Sequence, residues 1–241
     1  MKILVCENYD EMSLKGAEIV KAQVNEKPDC ILGLATGSTP VGLYNCLADM
    51  NRKGEIDFSK VESFNLDEYY PISPENDQSY RYFMNENLFS KINIDINKTH
   101  VPNGQAEDPE KACKEYDENI LKAGGIDLQV LGIGQNGHIA FNEPADELYE
   151  GTHLTGLTES TIKANARFFE KEEDVPTQAV TMGIASIMRA KKIIILANGA
   201  SKREVISKLI NGGITTNIPA SLLKVHPDVT LICDKEACPE I

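Results

Sequence analysis

Leu131-Gly132-Ile133-Gly134-Gln135-Asn136-Gly137-His138-Ile139-Ala140-Phe141-Asn142-Glu143-Pro144 is the stretch whose reading decides the fold. It follows Ile126-Asp127-Leu128-Gln129-Val130, a short, apolar, β-prone run that predicts a strand. Gly132, Gly134 and Gly137 then suggest a tight turn at the strand's end, because glycine permits positive φ and close backbone approach. His138 comes directly after that turn, and Glu143 precedes a proline that biases it toward an extended backbone. An imidazole has an unperturbed pKa near neutrality, and a carboxylate beside it can orient the ring. The residues therefore suggest an acid–base histidine held by Glu143. A buried histidine in a glycine-rich loop with a surface glutamate gives the same pattern, so this pair alone leaves both readings open.

Outward from this stretch the chain repeats one theme, an apolar strand, a turn of small residues and a helix. Cys30 to Ala35 is apolar throughout, as expected in a sheet covered on both faces, and leads into Thr36-Gly37-Ser38-Thr39-Pro40. Thr39 suits a helix N-cap and Pro40 the first turn, with Leu43, Tyr44 and Leu47 at helical spacing beyond. Such a turn makes an anion site of Gly37, Ser38 and Thr39, although an ordinary capped turn would read the same way. It is not a P-loop, since the Gly-Lys-Ser/Thr ending is absent. Val61 to Leu66 predicts a further strand ending in Asp67-Glu68, of which one carboxylate is expected to face the strand-end cleft.

Residues 145–176 are polar and without clear periodicity, which suggests a lid segment, and they contain Arg167. Ile193 to Ala197 is another buried-type strand, followed by Asn198-Gly199-Ala200-Ser201-Lys202 and a helix marked by Val205, Ile206, Leu209 and Ile210. A lysine at a helix start is disfavoured by the dipole unless an anion is bound, which makes Lys202 a candidate. Lys2 to Cys6 and Val229 to Cys233 read as first and last strands. Helices are expected over 9–25, 77–90 and 109–122, a helix-like segment over 218–225, and a polar connection over 92–109.

Alternation of strands and helices from end to end predicts a single α/β domain over residues 1–241. The layout is Rossmann-like, a mostly parallel sheet with helices on both faces and the lid inserted. In such sheets ligands bind beyond the carboxyl ends of the strands, which is where Gly37–Thr39, Asp67, His138 and Lys202 fall.

Composition limits the partners. With 24 Lys and Arg against 37 Asp and Glu, the net charge of −13 argues against nucleic acid and anionic membranes. The six cysteines form no Cys-x-x-Cys pair, and neither a signal peptide nor a membrane-spanning run is evident. A reducing cytoplasm is the expected location. No cluster with metal-ligand spacing is visible, so no metal or cofactor is expected.

The motifs Leu-Gly-Leu-Ala-Thr-Gly-Ser-Thr-Pro at 32–40, Phe-Asn-Leu-Asp-Glu-Tyr at 64–69, the stretch 131–144, Ala-Asn-Ala-Arg-Phe-Phe at 164–169 and Gly-Ala-Ser-Lys at 199–202 together resemble the glucosamine-6-phosphate deaminases, in order and spacing. The resemblance implies conversion of glucosamine 6-phosphate and water to fructose 6-phosphate and ammonia. It implies that His138 assists ring opening, that Asp67 moves the C2 proton to C1, and that Glu143 orients His138. Gly37, Ser38, Thr39, Arg167 and Lys202 would hold the phosphate. Rival readings are a 6-phosphogluconolactonase, a galactosamine-6-phosphate deaminase, or a sugar-phosphate sensor. The last would carry a helix-turn-helix, whereas this chain begins with a predicted strand.

Two departures stand out. Asn136 occupies a position where some members have aspartate, leaving the His138 relay one carboxylate fewer. Gly151-Thr152-His153-Leu154-Thr155, preceded by Asp146 and Glu147, lacks the basic residues with which regulated hexameric members hold an allosteric sugar phosphate. The chain also lacks their longer tail, so it resembles the shorter, non-allosteric members; a monomer is favoured, with an oligomer left open. N-acetylglucosamine 6-phosphate is therefore expected not to activate the enzyme. A sigmoidal rate curve that this compound makes hyperbolic would contradict the expectation.

Overall fold

The computed structural model describes residues 1–158, 162 and 175–239. In chain order the elements are β1 (Lys2–Cys6), α1 (Tyr9–Glu26), β2 (Ile31–Leu34), α2 (Val41–Arg52), β3 (Glu62–Asn65), β4 (Asp67–Tyr70), α3 (Tyr80–Asn87), β5 (Thr99–His100) and α4 (Pro109–Ala123). There follow β6 (Leu128–Gly132), β7 (His153–Gly156), β8 (Gln178–Thr181), α5 (Ile184–Met188), β9 (Lys192–Ala197), α6 (Arg203–Asn211) and β10 (Val229–Asp234). Seven strands form one parallel sheet in the order β1-β10-β9-β6-β2-β3-β5. The other three form an antiparallel sheet, β4-β8-β7.

The apolar strands are explained by burial on both faces. Along β6 and β9, Leu131, Ile193 and Ile195 join a core with Tyr116 and Ile120 of α4, Ile187 of α5 and Val205 and Leu209 of α6. Their neighbours Leu128, Val130, Ile194 and Leu196 join the opposite core, with Met12 and Val20 of α1 and Leu43 and Leu47 of α2. Successive side chains point to opposite faces, so a strand with helices on each side must be apolar at every position.

The order of strands positions the site. From β2 the chain moves to β3 and β5 on one side, then returns to β6 on the other. The turns after β2 and β6 therefore diverge and leave a crevice at the carboxyl ends of adjacent strands.

Three local expectations need correction. The strand read over Val61 to Leu66 with Asp67-Glu68 at its end is two strands: the chain leaves the parallel sheet after Asn65 and enters the smaller one as β4 at Asp67. The connection read over 92–109 contains β5, too short for periodicity to reveal. The segment read as helix-like over 218–225 is the 3-10 helix Pro219–Val225. No helix among the described residues is long and apolar enough to cross a membrane.

At the opposite edge of the parallel sheet, the buried Asp127 ties strand starts together. Its carboxylate accepts from the Ile31 amide at 2.8 Å, from Lys27 Nζ at 2.8 Å and from Lys191 Nζ at 2.7 Å. Burial alone would raise its pKa, but the lysines and the amide outweigh burial and hold it below the usual carboxylate value. A depressed folded-state pKa gives stability that is present above the unfolded value, near 3.9, and lost as pH falls through the folded one. Both lysines are partly exposed, which discounts their share. Asp127→Asn should therefore cost about 1–2 kcal/mol at pH 7 in denaturant titrations, a gap that closes as pH falls below about 4. An equal gap at pH 3 and pH 7 would contradict this account.

Candidate active site

Four strand-end segments converge on the crevice. After β2, Gly37 has φ 96°, a left-handed conformation that glycine adopts without strain. Thr39 is not the N-cap of α2: Pro40 takes that position without a side-chain cap, and Thr39 Oγ1 instead donates to Asn198 Oδ1 at 2.9 Å. The hydroxyl read as a cap thus joins this turn to the one after β9. The Tyr9 hydroxyl lies 3.1 Å from the carbonyls of both Ser38 and Thr39 and accepts from the Gly42 amide at 2.8 Å, bracing the turn from α1.

After β6, the His138 loop is folded on its own backbone. Gly134 N donates to His138 O at 2.9 Å, and Gly137, with φ 91°, donates to Gly134 O at 3.0 Å. A methyl group on Gly134 would overlap the His138 ring, so only glycine leaves room for the imidazole there. His138 Nδ1 stands 3.1 Å from Glu143 Oε1, close enough for an ion pair but without hydrogen-bond alignment. Asn136 fixes both partners: its Nδ2 donates to Glu143 Oε2 at 2.6 Å, and its Oδ1 accepts from His138 N at 3.2 Å. The His138 side chain keeps 29 % of its surface exposed, so a ligand can reach it.

Asp67 opens β4, directly opposite Thr181 of β8. Thr181 Oγ1 also accepts from Phe141 N at 3.1 Å, and the Asn142 side chain donates to Met182 O at 2.8 Å. Asp67 and the loop carrying His138 and Glu143 therefore hang on the same end of β8. Asp67 is 6 % exposed. Burial, and after it the neighbouring charge of Glu68, push its carboxyl up to about 8. Glu68 points away, as expected of successive residues on a strand, and caps the start of α3.

After β9, Gly199 donates its amide to the Asp234 carboxylate at 3.0 Å. Lys202 Nζ rests on the Ile133 carbonyl at 2.7 Å, at the root of the His138 loop. Burial lowers the Lys202 pKa, and among the described residues no carboxylate pairs with it. A half-buried cation held by a carbonyl and no acid attracts an anion.

The structure thus brings Gly37, Ser38, Thr39, Asp67, Asn136, His138, Glu143 and Lys202 onto one side of the sheet. Arg167, with residues 159–161 and 163–174 of the expected lid, lies outside the described residues. Tyr9, Asn198 and Asp234, which support the two anion-side turns, were not singled out in the sequence, because their roles depend on contacts between segments far apart in the chain. No group of His, Cys, Asp and Glu that could hold a metal ion occurs among the described residues. Chemically, the arrangement combines a buried carboxyl of high proton affinity, an accessible imidazole backed by a carboxylate, and amides with an ammonium that meets no carboxylate among the described residues.

Comparison with known proteins agrees with this arrangement. The family described as glucosamine-6-phosphate isomerases/6-phosphogluconolactonase matches residues 7–232. A glucosamine-6-phosphate deaminase of Thermoanaerobacter pseudethanolicus is 58% identical over 98% of this chain and 94% of its own. One from Halothermothrix orenii is 55% identical over 98% of each chain. The solved structure of a monomeric glucosamine-6-phosphate deaminase superposes with a TM-score of 0.96 at 42% identity, covering 98% of both chains. A 6-phosphogluconolactonase of Thermotoga maritima shares the fold, with a TM-score of 0.78 at 22% identity over 97% of this chain and 99% of its own. On its sequence and its fold, the chain belongs to the glucosamine-6-phosphate isomerase/6-phosphogluconolactonase family.

Proposed function

We propose that the protein converts glucosamine 6-phosphate and water to fructose 6-phosphate and ammonia. The observation that carries this reading is the buried Asp67 carboxyl sharing Thr181 with the loop that bears His138 and Glu143. An aldose–ketose isomerisation needs such a pair, one base for a weakly acidic C–H and one group to move a proton at the ring oxygen.

In this reading His138 opens the pyranose by proton transfer at the ring oxygen, with Glu143 beside its Nδ1 and Asn136 holding Glu143 in place. Asp67 then takes the proton from C2 and returns it to C1 through an enolamine. The resulting C2 imine is hydrolysed, releasing ammonia. A base with a raised pKa suits the C2 proton, since proton-transfer efficiency grows with base strength; a positioned base contributes about 10²- to 10⁴-fold. Every step is a proton transfer or a hydrolysis that these groups can perform.

The phosphate, at roughly −1.5 to −2 charge at pH 7, would lie on Gly37, Ser38 and Thr39 at the start of α2. Lys202 and Arg167 would complete the cradle. In a chain of net charge −13 such dedicated donors are needed to hold an anion. The 98% mutual coverage with a solved monomeric relative supports a monomer, and the substrate supports a cytoplasmic role in amino-sugar catabolism.

The direct test is incubation with glucosamine 6-phosphate, and separately with galactosamine 6-phosphate, followed by measurement of ammonia and ketose. Release from the glucosamine compound is expected; no ammonia from it would overturn the proposal. Asp67→Asn should lower kcat at least about 100-fold and abolish solvent exchange of the C2 proton. It should also stabilise the fold in a pH-dependent way. A carboxyl whose folded-state pKa is raised to about 8 gives stability that is complete below its unfolded value, near 3.9, and lost as pH rises to about 8. The variant should melt above the wild type at pH 8, and this advantage should shrink at pH 5. Normal exchange in the variant would assign the base elsewhere.

A further inference from the structure

The loop that carries His138 is tethered on both sides of the imidazole. Beyond it, Thr181 and Met182 take the Phe141 amide and the Asn142 side chain. Ahead of it, the tether is a segment far along the chain, Thr215 to Ser221. This segment is closed on itself. The Thr215 amide donates to Ser221 Oγ at 2.8 Å, and that hydroxyl donates back to Thr215 O at 2.9 Å. The Ile218 amide donates to Thr215 O at 3.2 Å, and the Ser221 amide to Ile218 O at 2.8 Å. Pro219 opens the 3-10 helix Pro219–Val225 without an amide hydrogen, so Ala220 carries its first free donor. That amide donates outside the segment, to Gly137 O at 2.9 Å.

Ile218 closes the same contact with its side chain. A methyl group added at Gly137 would come 2.7 Å from Ile218 Cγ2 and 3.2 Å from Ile218 Cα, so the Gly137 backbone lies flush against this residue. On the other side of His138, Ile139 is buried in the core that also takes Ala220 and Leu223. The bonds within the loop, Gly134 to His138 and Asn136 to Glu143, set its shape but not its place relative to Asp67. Its place is set by the tethers. We propose that Ile218 is a positioning residue for His138: braced by the Thr215–Ser221 turn, its side chain seats the Gly137 backbone and so aims the imidazole at the ring oxygen of the substrate. The inference rests on the assignment of His138 to ring opening.

Ile218 is half-buried, whereas the neighbours Pro219, Ala220 and Ser221 are buried. Its share in the core is therefore smaller than theirs, and the contact with Gly137 is a larger part of what its branched side chain does. A misplacement of about 1 Å at a reacting group can cost on the order of 10²-fold in rate. The anion side of the crevice does not depend on this segment, since Gly37–Thr39 is braced by Tyr9 and Asn198. Loosening the contact at Gly137 should slow the chemistry and leave substrate binding alone.

The experiment measures kcat, KM and the imidazole NMR resonances of the wild type, Ile218→Ala, Ile218→Val and Asp127→Asn. The chain has four histidines, and His138→Gln identifies the resonance of His138. Ile218→Ala should lower kcat about 10-fold with KM unchanged. It should also move the His138 resonance while those of His100, His153 and His226 stay. Ile218→Val keeps the branch that faces Gly137 and should keep both the rate and the resonance. Asp127→Asn loosens the fold from the opposite edge of the sheet and should leave both at their wild-type values. A wild-type kcat or an unmoved His138 resonance in Ile218→Ala overturns the inference, as does an equal loss of kcat in Asp127→Asn, which would mark general loosening. Should Ile218→Ala fail to fold, Ile218→Leu, which keeps the bulk but not the branch, is read in the same way. A wild type that releases no ammonia from glucosamine 6-phosphate removes the functional reading instead. The His138 resonance then still decides the positioning, so the two failures are distinguishable.

Discussion

Everything at the crevice depends on how the chain crosses from one sheet to the other at Leu66. The Leu66 amide donates to Leu34 of the parallel sheet at 3.1 Å, and its carbonyl accepts from Met182, just past β8, at 2.8 Å. One residue therefore belongs to both hydrogen-bond networks, and Asp67 has no freedom to swing toward water. The crossing sets Asp67 opposite Thr181, and Thr181 in turn holds the loop after β6. Backbone geometry thus forces a carboxyl into a dry position, where its charged form is costly and its proton affinity rises.

In the proposed function the same crevice would accept a dianion in an acidic protein, which calls for an electrostatic division of labour. Carboxyl groups lie on the β4 and β6 side: Asp67, whose charged form burial opposes, and Glu143 beside His138. Amide donors and the Lys202 ammonium lie at the ends of β2 and β9, joined by the Thr39–Asn198 hydrogen bond. Lys202 links the halves, since it rests on the carbonyl of Ile133 at the base of the His138 loop. The ammonium that would meet the phosphate is thus one hydrogen bond from the loop that carries the imidazole.

Much of this could be read from the chain. The apolar runs at 30–35, 126–130 and 193–197 marked the sheet because both of its faces are buried, and the glycines around His138 marked a close approach that the overlap at Gly134 explains. What escaped was decided by distant partners. Thr39 carries every local sign of an N-cap, but Asn198 competes for its hydroxyl. Asp67 to Tyr70 looks like a strand end because its pairing partner, β8, lies more than a hundred residues away and in a different sheet. β5 is two residues long, below any period. The division between Asp67 and Glu68 was legible from strand alternation, but the use of Glu68 at the start of α3 was not, since that requires knowing where Tyr80 and Arg81 fold back.

The central claim is that these strand-end loops surround a single phosphorylated amino sugar. The most direct measurement is a crystal structure of the protein with an unreactive open-chain analogue, 2-amino-2-deoxyglucitol 6-phosphate. The account predicts the phosphate on the amides of Gly37–Thr39 with Lys202 against it, the Asp67 carboxylate within reach of C1 and C2, and the His138 ring at the O5 hydroxyl. A phosphate bound away from the start of α2, or an Asp67 carboxylate on the far side of β4 from the sugar, would contradict it.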